Sequence, residues 1–305
     1  MKVLVTGGAG FIASHVVDAY IERGHDVVIV DDLSSGQLEN VNPKAELVVA
    51  DLRDPATIDK LRGRNFELVN HHAAQIDVRV SVADPAADAE LNIVATLRLF
   101  RAMIDEGVKK IIFASSGGAA YGEPKYAPQD EEHPVAPLSP YGCAKLSIDQ
   151  YLYFFRHVHG IRATSLRYGN VYGPRQRKDG EAGVVAIFAG ALLDGQQARI
   201  NGTGEQTRDY VFVEDVARAN MAATEHDTDG IFNVGTGVET SVNQLYEALC
   251  DALGIRAAAQ YAPAKAGEQM RSVLDGRKLR QLANVPEPLA LREGLRRTVA
   301  WMRGE

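Results

Sequence analysis

A doubly wound α/β fold, a parallel sheet covered by helices on both faces, follows from three observations on this 305-residue chain. Short runs rich in Val, Ile and Leu recur at 2–6, 26–31, 46–50, 67–72, 109–115 and 161–167. Longer segments with apolar residues every three or four positions separate most of them, which reads as strands alternating with helices. The first run leads straight into the glycine-rich turn Thr6-Gly7-Gly8-Ala9-Gly10-Phe11-Ile12-Ala13 and an apolar-periodic helix over 12–21.

In that opening unit Gly7 and Gly10 let the backbone turn tightly against a pyrophosphate, whose charge then sits at the positive end of the helix that Phe11 and Ile12 begin. The second strand ends at Asp31, about twenty residues on, where a carboxylate accepts hydrogen bonds from the adenosine ribose hydroxyls. The pattern predicts a bound dinucleotide. Asp31 with Asp32 beside it would repel the 2′-phosphate of NADP, so NAD is the expected cofactor. Gly24 and Gly160 stand where a helix gives way to a strand, as helix C-caps.

Segment 84–106, with Leu91, Val94, Leu97, Leu99, Phe100, Met103 and Ile104, is apolar on more than one side, as is 146–155. Such helices bury one face on the sheet and the other on something else, so a homodimer is expected. Past Arg167 the rhythm changes. Helix 184–193, strand 198–200 and the turn Gly202-Thr203-Gly204 predict a smaller, substrate-covering region. Segments 210–213, 214–224 and 231–234 read as a return to the main sheet, followed by helix 242–253 and a charged tail in which Trp301 is a packing anchor. Residues 1–175 with 205–240 are thus expected to form the dinucleotide-binding (Rossmann) domain, and 176–204 with 241–305 the substrate-binding region.

A net charge of -7 and a pI near 5.7 argue against a broad basic surface, and so against nucleic acid or an anionic membrane as partner. No apolar run reaches the roughly 18 residues of a membrane span. The N-terminus is a strand and turn and no signal peptide is expected. Cys143 and Cys250 form no metal or redox spacing, and His71 and His72 have no Cys or His set beside them, so no metal site is expected. The cytoplasm is the expected compartment.

Tyr141 and Lys145, four apart on a helix, share one face. An ammonium beside a phenol favours the phenolate and lowers its pKa from about 10, which makes Tyr141 the candidate general base. Ser115 and Ser116, followed by Gly117 and Gly118, end the 109–115 run, and strand C-terminal ends face the ligand crevice of such a sheet.

Over essentially its whole length the chain resembles the extended short-chain dehydrogenase/reductases and, within them, the UDP-sugar 4-epimerases. The matching pieces are the glycine turn, Asp31-Asp32-Leu33-Ser34-Ser35-Gly36, Asp51-Leu52, His72-Ala73-Ala74-Gln75, Ser115-Ser116 and Tyr141 with Lys145. Later come Leu166-Arg167-Tyr168-Gly169-Asn170-Val171-Tyr172-Gly173-Pro174-Arg175 and Arg208-Asp209-Tyr210-Val211. The resemblance implies that Gly7 and Gly10 hold the pyrophosphate, Asp31 the ribose, and Asp51 with Leu52 the adenine. It has Ala73, Ala74 and Gln75 line the nicotinamide side, with Asp32, Ser35, Gly36 and Asn92 completing the cofactor set. Tyr141 is then the base, Lys145 tunes it and binds the nicotinamide ribose, and Ser116 orders the sugar 4-hydroxyl. Asn170 and Arg208 match positions that hold the nucleotide-sugar diphosphate; Val184, Glu268 and Ser272 complete the substrate set.

Four departures accompany the match. Ala13 stands for the third glycine, and Asp32 where the family often has Asn. An extra glycine after the serines leaves either Ser115 or Ser116 as the active hydroxyl. Lys265 replaces Arg in Lys265-Ala266-Gly267-Glu268, so either Lys265 or Arg271 supplies the phosphate contact. The implied reaction interconverts UDP-glucose and UDP-galactose through a 4-keto sugar with permanently bound NAD. Ser272, seven positions after Lys265, is small enough to leave room for an N-acetyl group, which extends the reading to UDP-GlcNAc and UDP-GalNAc. A nucleotide-sugar 4,6-dehydratase would carry Asp-Glu where this chain has Gly117-Gly118. A UDP-glucuronate epimerase or decarboxylase would need a cation for the substrate carboxylate. A non-catalytic NAD-sensing regulator has no use for Ser116, Tyr141 and Lys145 together.

Overall fold

The computed structural model describes residues 1–178, 183–264 and 269–305. Its centre is a seven-stranded sheet whose neighbours all pair in parallel. The strands are β1 (Lys2–Thr6), β2 (Asp26–Asp31), β3 (Glu46–Val49), β4 (Leu68–His71), β5 (Lys110–Ser116), β6 (Arg162–Tyr168) and a last strand, Gly230–Val234. From β1 the chain runs outward through β2 to β3, then returns to β4 on the other side of β1 and continues through β5, β6 and Gly230–Val234. The direction reverses between β1 and β4, and the crevice at the carboxyl ends of those two strands is where this topology binds ligands.

Each strand carries Val, Ile or Leu, and all but the outermost are buried nearly throughout, as a two-faced cover requires. On one face Phe11–Glu22 and Val213–Glu225 pack through Val16, Val17, Tyr20, Val216 and Ala223. Ala13 is 2% exposed in this same core, which accommodates its methyl group. On the other face Thr96–Asp105 and Pro140–His159 contribute Leu99, Phe100, Met103, Ile148, Leu152 and Phe155. Segment 84–106 is not one regular helix. Asp84 caps Pro85–Ala89, a π-helical turn spans Glu90–Ala95, and regular α-helix resumes at Thr96.

A third core gathers Val185, Phe188, Leu192, Ile200, Leu245, Leu249, Leu295 and Val299 beside Tyr172, Tyr210 and Phe212. Tyr210–Phe212 does not rejoin the main sheet as expected. It pairs with Asn170–Tyr172 in a two-stranded parallel ribbon, because Tyr210 and Phe212 find their apolar partners in the third core. Strand 231–234 does return, extended by one residue and paired to β6. The charged tail is the helix Leu291–Arg303, held by Leu295 and Val299 four residues apart on its inner side. Trp301 lies off that side and is 45% exposed, so it is not the buried anchor expected of it.

Candidate active site

The glycine turn meets the end of β4 closely enough that a Cβ on Gly7 would stand 2.8 Å from the Ala73 nitrogen, and Gly7 has φ +71°. Both facts demand glycine. Gly10 caps the helix Phe11–Glu22 without a side-chain hydrogen bond, leaving the first-turn N–H groups, Phe11 and Ile12 among them, to face the crevice. Asp31 is 7% exposed; its Oδ2 accepts from the Ala9 N–H at 3.0 Å and its Oδ1 from the Leu33 N–H at 2.9 Å. Burial pushes the Asp31 carboxyl up, against those two hydrogen bonds. A Cβ on Gly36 would come within 2.7 Å of Asp31 Oδ1, so the small residue keeps that carboxylate in place. Asp32 and Ser35 are exposed, and Asp32 Oδ1 accepts from the Ser34 N–H and hydroxyl. Asp51 is held by the Arg53 guanidinium, which lowers its pKa, and Leu52 is buried in the apolar core.

Ala73 donates its N–H to Thr6 Oγ1, and Ala74 follows it, half-buried, into Gln75. Gln75 is clasped by Asn92, whose Oδ1 accepts the Gln75 N–H and whose Nδ2 donates to the Gln75 carbonyl, both at 2.9 Å. The cradle therefore suits a dinucleotide: close-approach glycines, a free helix N-terminus, and a fixed carboxylate at the end of β2. Among the described residues, no group of three metal-ligating side chains converges, and no helix is long and apolar enough to cross a membrane.

Ser139 caps Pro140–His159, its hydroxyl accepting the Gly142 N–H at 3.1 Å, and so brings Tyr141 and Lys145 opposite the end of β5. Tyr141 is half-buried and bonded to Ser116. Ser115 points the other way along the strand; it is 3% exposed and its Oγ has no hydrogen-bond partner among the described residues. Strand alternation thus selects Ser116 as the hydroxyl at the cleft. Lys145 Nζ lies 5.7 Å from the Tyr141 ring centre and donates to the Ala114 carbonyl at 2.8 Å. The phenol is not lowered in this arrangement, contrary to the sequence expectation. Burial pushes Tyr141 up to about 12, Ser116 opposes that, and Asp88 adds to it. Burial likewise brings Lys145 down to about 8, although Asp149 and Asp88 pull it upward.

Several of these partners escaped sequence reasoning. Asp149, one turn after Lys145, forms a buried pair with Arg167 at 2.8 Å and accepts the Ser165 hydroxyl. Asp88 accepts from Gln75 and Asn92. Asp209, 1% exposed, accepts the N–H groups of Thr236, Gly237 and Leu274 and so ties three segments of the substrate side together. Spacing from Lys145 could have flagged Asp149, and Asp209 stands in the Arg208-Asp209-Tyr210-Val211 match without a role of its own; nothing in the sequence singles out Asp88.

On the substrate side Asn170 is exposed in the ribbon beside half-buried Arg208, and Val184 opens the helix Val184–Leu193. Arg271 reaches Glu239 at 2.7 Å. Ser272 is 2% exposed and faces Gly118, where a Cβ would stand 3.2 Å from its Oγ. A Cβ on Gly117 would strike Leu274 at 2.5 Å. Lys265 and Glu268 lie outside the described residues.

A glycine-cradled crevice with Ser116, Tyr141 and Lys145 at its mouth defines a dinucleotide-dependent enzyme acting on a hydroxyl-bearing substrate. The chain belongs to the NAD dependent epimerase/dehydratase family, which matches residues 3–235. It is 47% identical over 301 residues to a putative UDP-glucose 4-epimerase of Methanocaldococcus jannaschii, covering 99% of this chain and 98% of the relative. Among solved structures it resembles UDP-glucose 4-epimerase of Thermotoga maritima with UDP-glucose, at TM-score 0.97 and 46% identity over 100% of this chain and 99% of that one. It also resembles the Thermus thermophilus UDP-glucose 4-epimerase in complex with NAD, at TM-score 0.93 and 42% identity over 100% and 99%.

Proposed function

We propose that this protein is an NAD-dependent isomerase that interconverts UDP-glucose and UDP-galactose through a 4-keto sugar, with Tyr141 as base. The observation that carries the reading is the convergence of Ser116, Tyr141 and Lys145 at the carboxyl end of β5. Bound in its oxidised form, NAD supplies an acceptor for the C4 hydride and a positive ring that favours the phenolate. Tyr141 takes the 4-hydroxyl proton and later returns it, and Ser116 holds that oxygen in register. Lys145 places a positive charge beside the phenol, and its remaining N–H donors would serve the ribose of the bound cofactor. Gly7, Gly10, Asp31, Gly36 and the 73–75 loop hold the cofactor, with Asp32, Ser35, Asp51, Leu52 and Asn92 around them. Asn170, Arg208, Val184 and Arg271 serve the UDP-sugar; Arg suits a diphosphate because its planar fork binds two oxygens at once.

The dehydratase alternative is disfavoured by packing as well as by composition, since Leu274 fills the space beyond Gly117. The small pair Gly118 and Ser272 near Ser116 supports acceptance of a 2-acetamido group. Residues 1–175 with 205–240 act as the cofactor domain and 176–204 with 241–305 as the substrate region; the third core supports a substrate region with its own packing, into which Tyr172, Tyr210 and Phe212 of the cofactor side also reach. Exposed Val80, Val82, Val94, Tyr151, Phe154 and Val158 on helices near 84–106 and 140–159 support a homodimer. Two free cysteines suit the cytoplasm. Denaturing the purified protein should release NAD, and the native enzyme should convert UDP-galactose to UDP-glucose with no cofactor added; no conversion would refute the reading.

A further inference from the structure

Asp88 is 2% exposed, yet the hydrogen bonds recorded for its carboxylate come from neutral amides: Gln75 Nε2 and Asn92 Nδ2, each at 2.9 Å. It lies in Pro85–Ala89, which packs against Pro140–His159, the helix of Tyr141 and Lys145. Asn92 belongs to the π-helical turn that follows, a rare geometry met mostly at functional sites. Through Asn92, Asp88 fixes both main-chain groups of Gln75. The other nearby carboxylate, Asp149, is matched by the Arg167 guanidinium with two hydrogen bonds. Among the described residues Asp88 has no guanidinium partner; the cation it faces is the Lys145 ammonium, so it is the carboxylate that acts on the reacting pair.

The groups around the reacting pair are few. Tyr141 faces Ser116 from β5, Asp88 from Pro85–Ala89 and Lys145 from its own helix. Lys145 faces Asp149 and Asp88, the Ala114 carbonyl and Phe113 ring of β5, and His71 and His72 at the end of β4. Both histidines are held neutral by burial, with His72 brought down to about 3, so they bring no charge at working pH.

We propose that Asp88 is a positioning residue of this active site, ordering the Gln75 loop through Asn92 and setting the charge against which Tyr141 and Lys145 each hold their proton. The proposal rests on the reading of Tyr141 as the base. A negative charge raises the pKa of a phenol and of an ammonium alike, so its removal lowers both. Asp88→Asn keeps an acceptor for Gln75 or Asn92 and removes the charge. Both limbs of its kcat–pH profile should move to lower pH, by about half a unit or more. The tyrosinate absorbance lost on adding Tyr141→Phe should titrate lower in the Asp88→Asn background by the same amount.

A lower rate at every pH with both limbs and the tyrosinate titration unmoved would mean a structural role only, and would overturn the proposal. If Asp88→Asn does not fold, Asp88→Ser is read in the same way; if neither folds, the carboxylate serves the fold and the proposal fails. Failure of the base itself is distinguishable. An active Tyr141→Phe defeats that reading whatever Asp88 does, whereas unmoved limbs in Asp88→Asn beside an inactive Tyr141→Phe defeat this proposal alone.

Discussion

Lys145 donates a hydrogen bond to the carbonyl of Ala114, at 2.8 Å, from a position 5.7 Å from the centre of the Tyr141 ring. The ammonium thus acts on the phenol as a neighbouring charge, and its own protonation becomes the sensitive quantity. Burial leaves Lys145 with a pKa of about 8. Below that pH the charge is present; above it the charge is lost. Turnover should therefore decline as pH rises past about 8. A kcat–pH profile that stays level to pH 10 would contradict this.

The strands were legible to within about a residue because most are short runs carrying Val, Ile or Leu with glycine or aspartate at or just after the end, a local signal that tertiary packing reinforces. The glycine turn, Asp31 and the Tyr141–Lys145 pair were legible because spacing alone puts them on one edge or one face. Three features were not. The π turn at Glu90–Ala95 leaves the apolar periodicity of 84–106 nearly intact, so it looks like plain helix. Tyr210–Phe212 has the composition of a main-sheet strand, and only the third core diverts it. The raised phenol of Tyr141 depends on burial, which a Tyr-x-x-x-Lys spacing does not encode.

Gly117→Asp should destabilise the protein rather than confer dehydration. Its Cβ would meet Leu274 at 2.5 Å, and overpacking of a filled core costs about 1–3 kcal/mol. Thermal unfolding should shift downward and no 4-keto-6-deoxy sugar should form. Unchanged stability would show that Leu274 gives way.

NAD should bind at least about tenfold more tightly than NADP, because Asp31 is fixed at the end of β2 and a 2′-phosphate there would face like charge. Titration of apo-protein with each cofactor measures the ratio. Equal or tighter NADP binding would reverse the assignment.

Ser272→Tyr should abolish turnover of UDP-GlcNAc and leave that of UDP-galactose within a few-fold. Ser272 and Gly118 lie side by side, and a phenol at 272 must project into the space an acetamido group would use. Space permits a substrate without favouring it, so the wild-type preference between the two sugars is a separate measurement. Loss of both activities, or of neither, would remove Ser272 from the pocket wall.

The central claim is that Tyr141 moves the proton of the sugar 4-hydroxyl. Tyr141→Phe deletes one oxygen from a half-buried ring and leaves the cofactor cradle untouched. Measured with UDP-galactose, the purified variant should retain its bound NAD and lose at least about a hundredfold in kcat, the lower end of what a general base contributes. A variant that holds NAD and still turns over at more than about a hundredth of the wild-type rate would contradict the account.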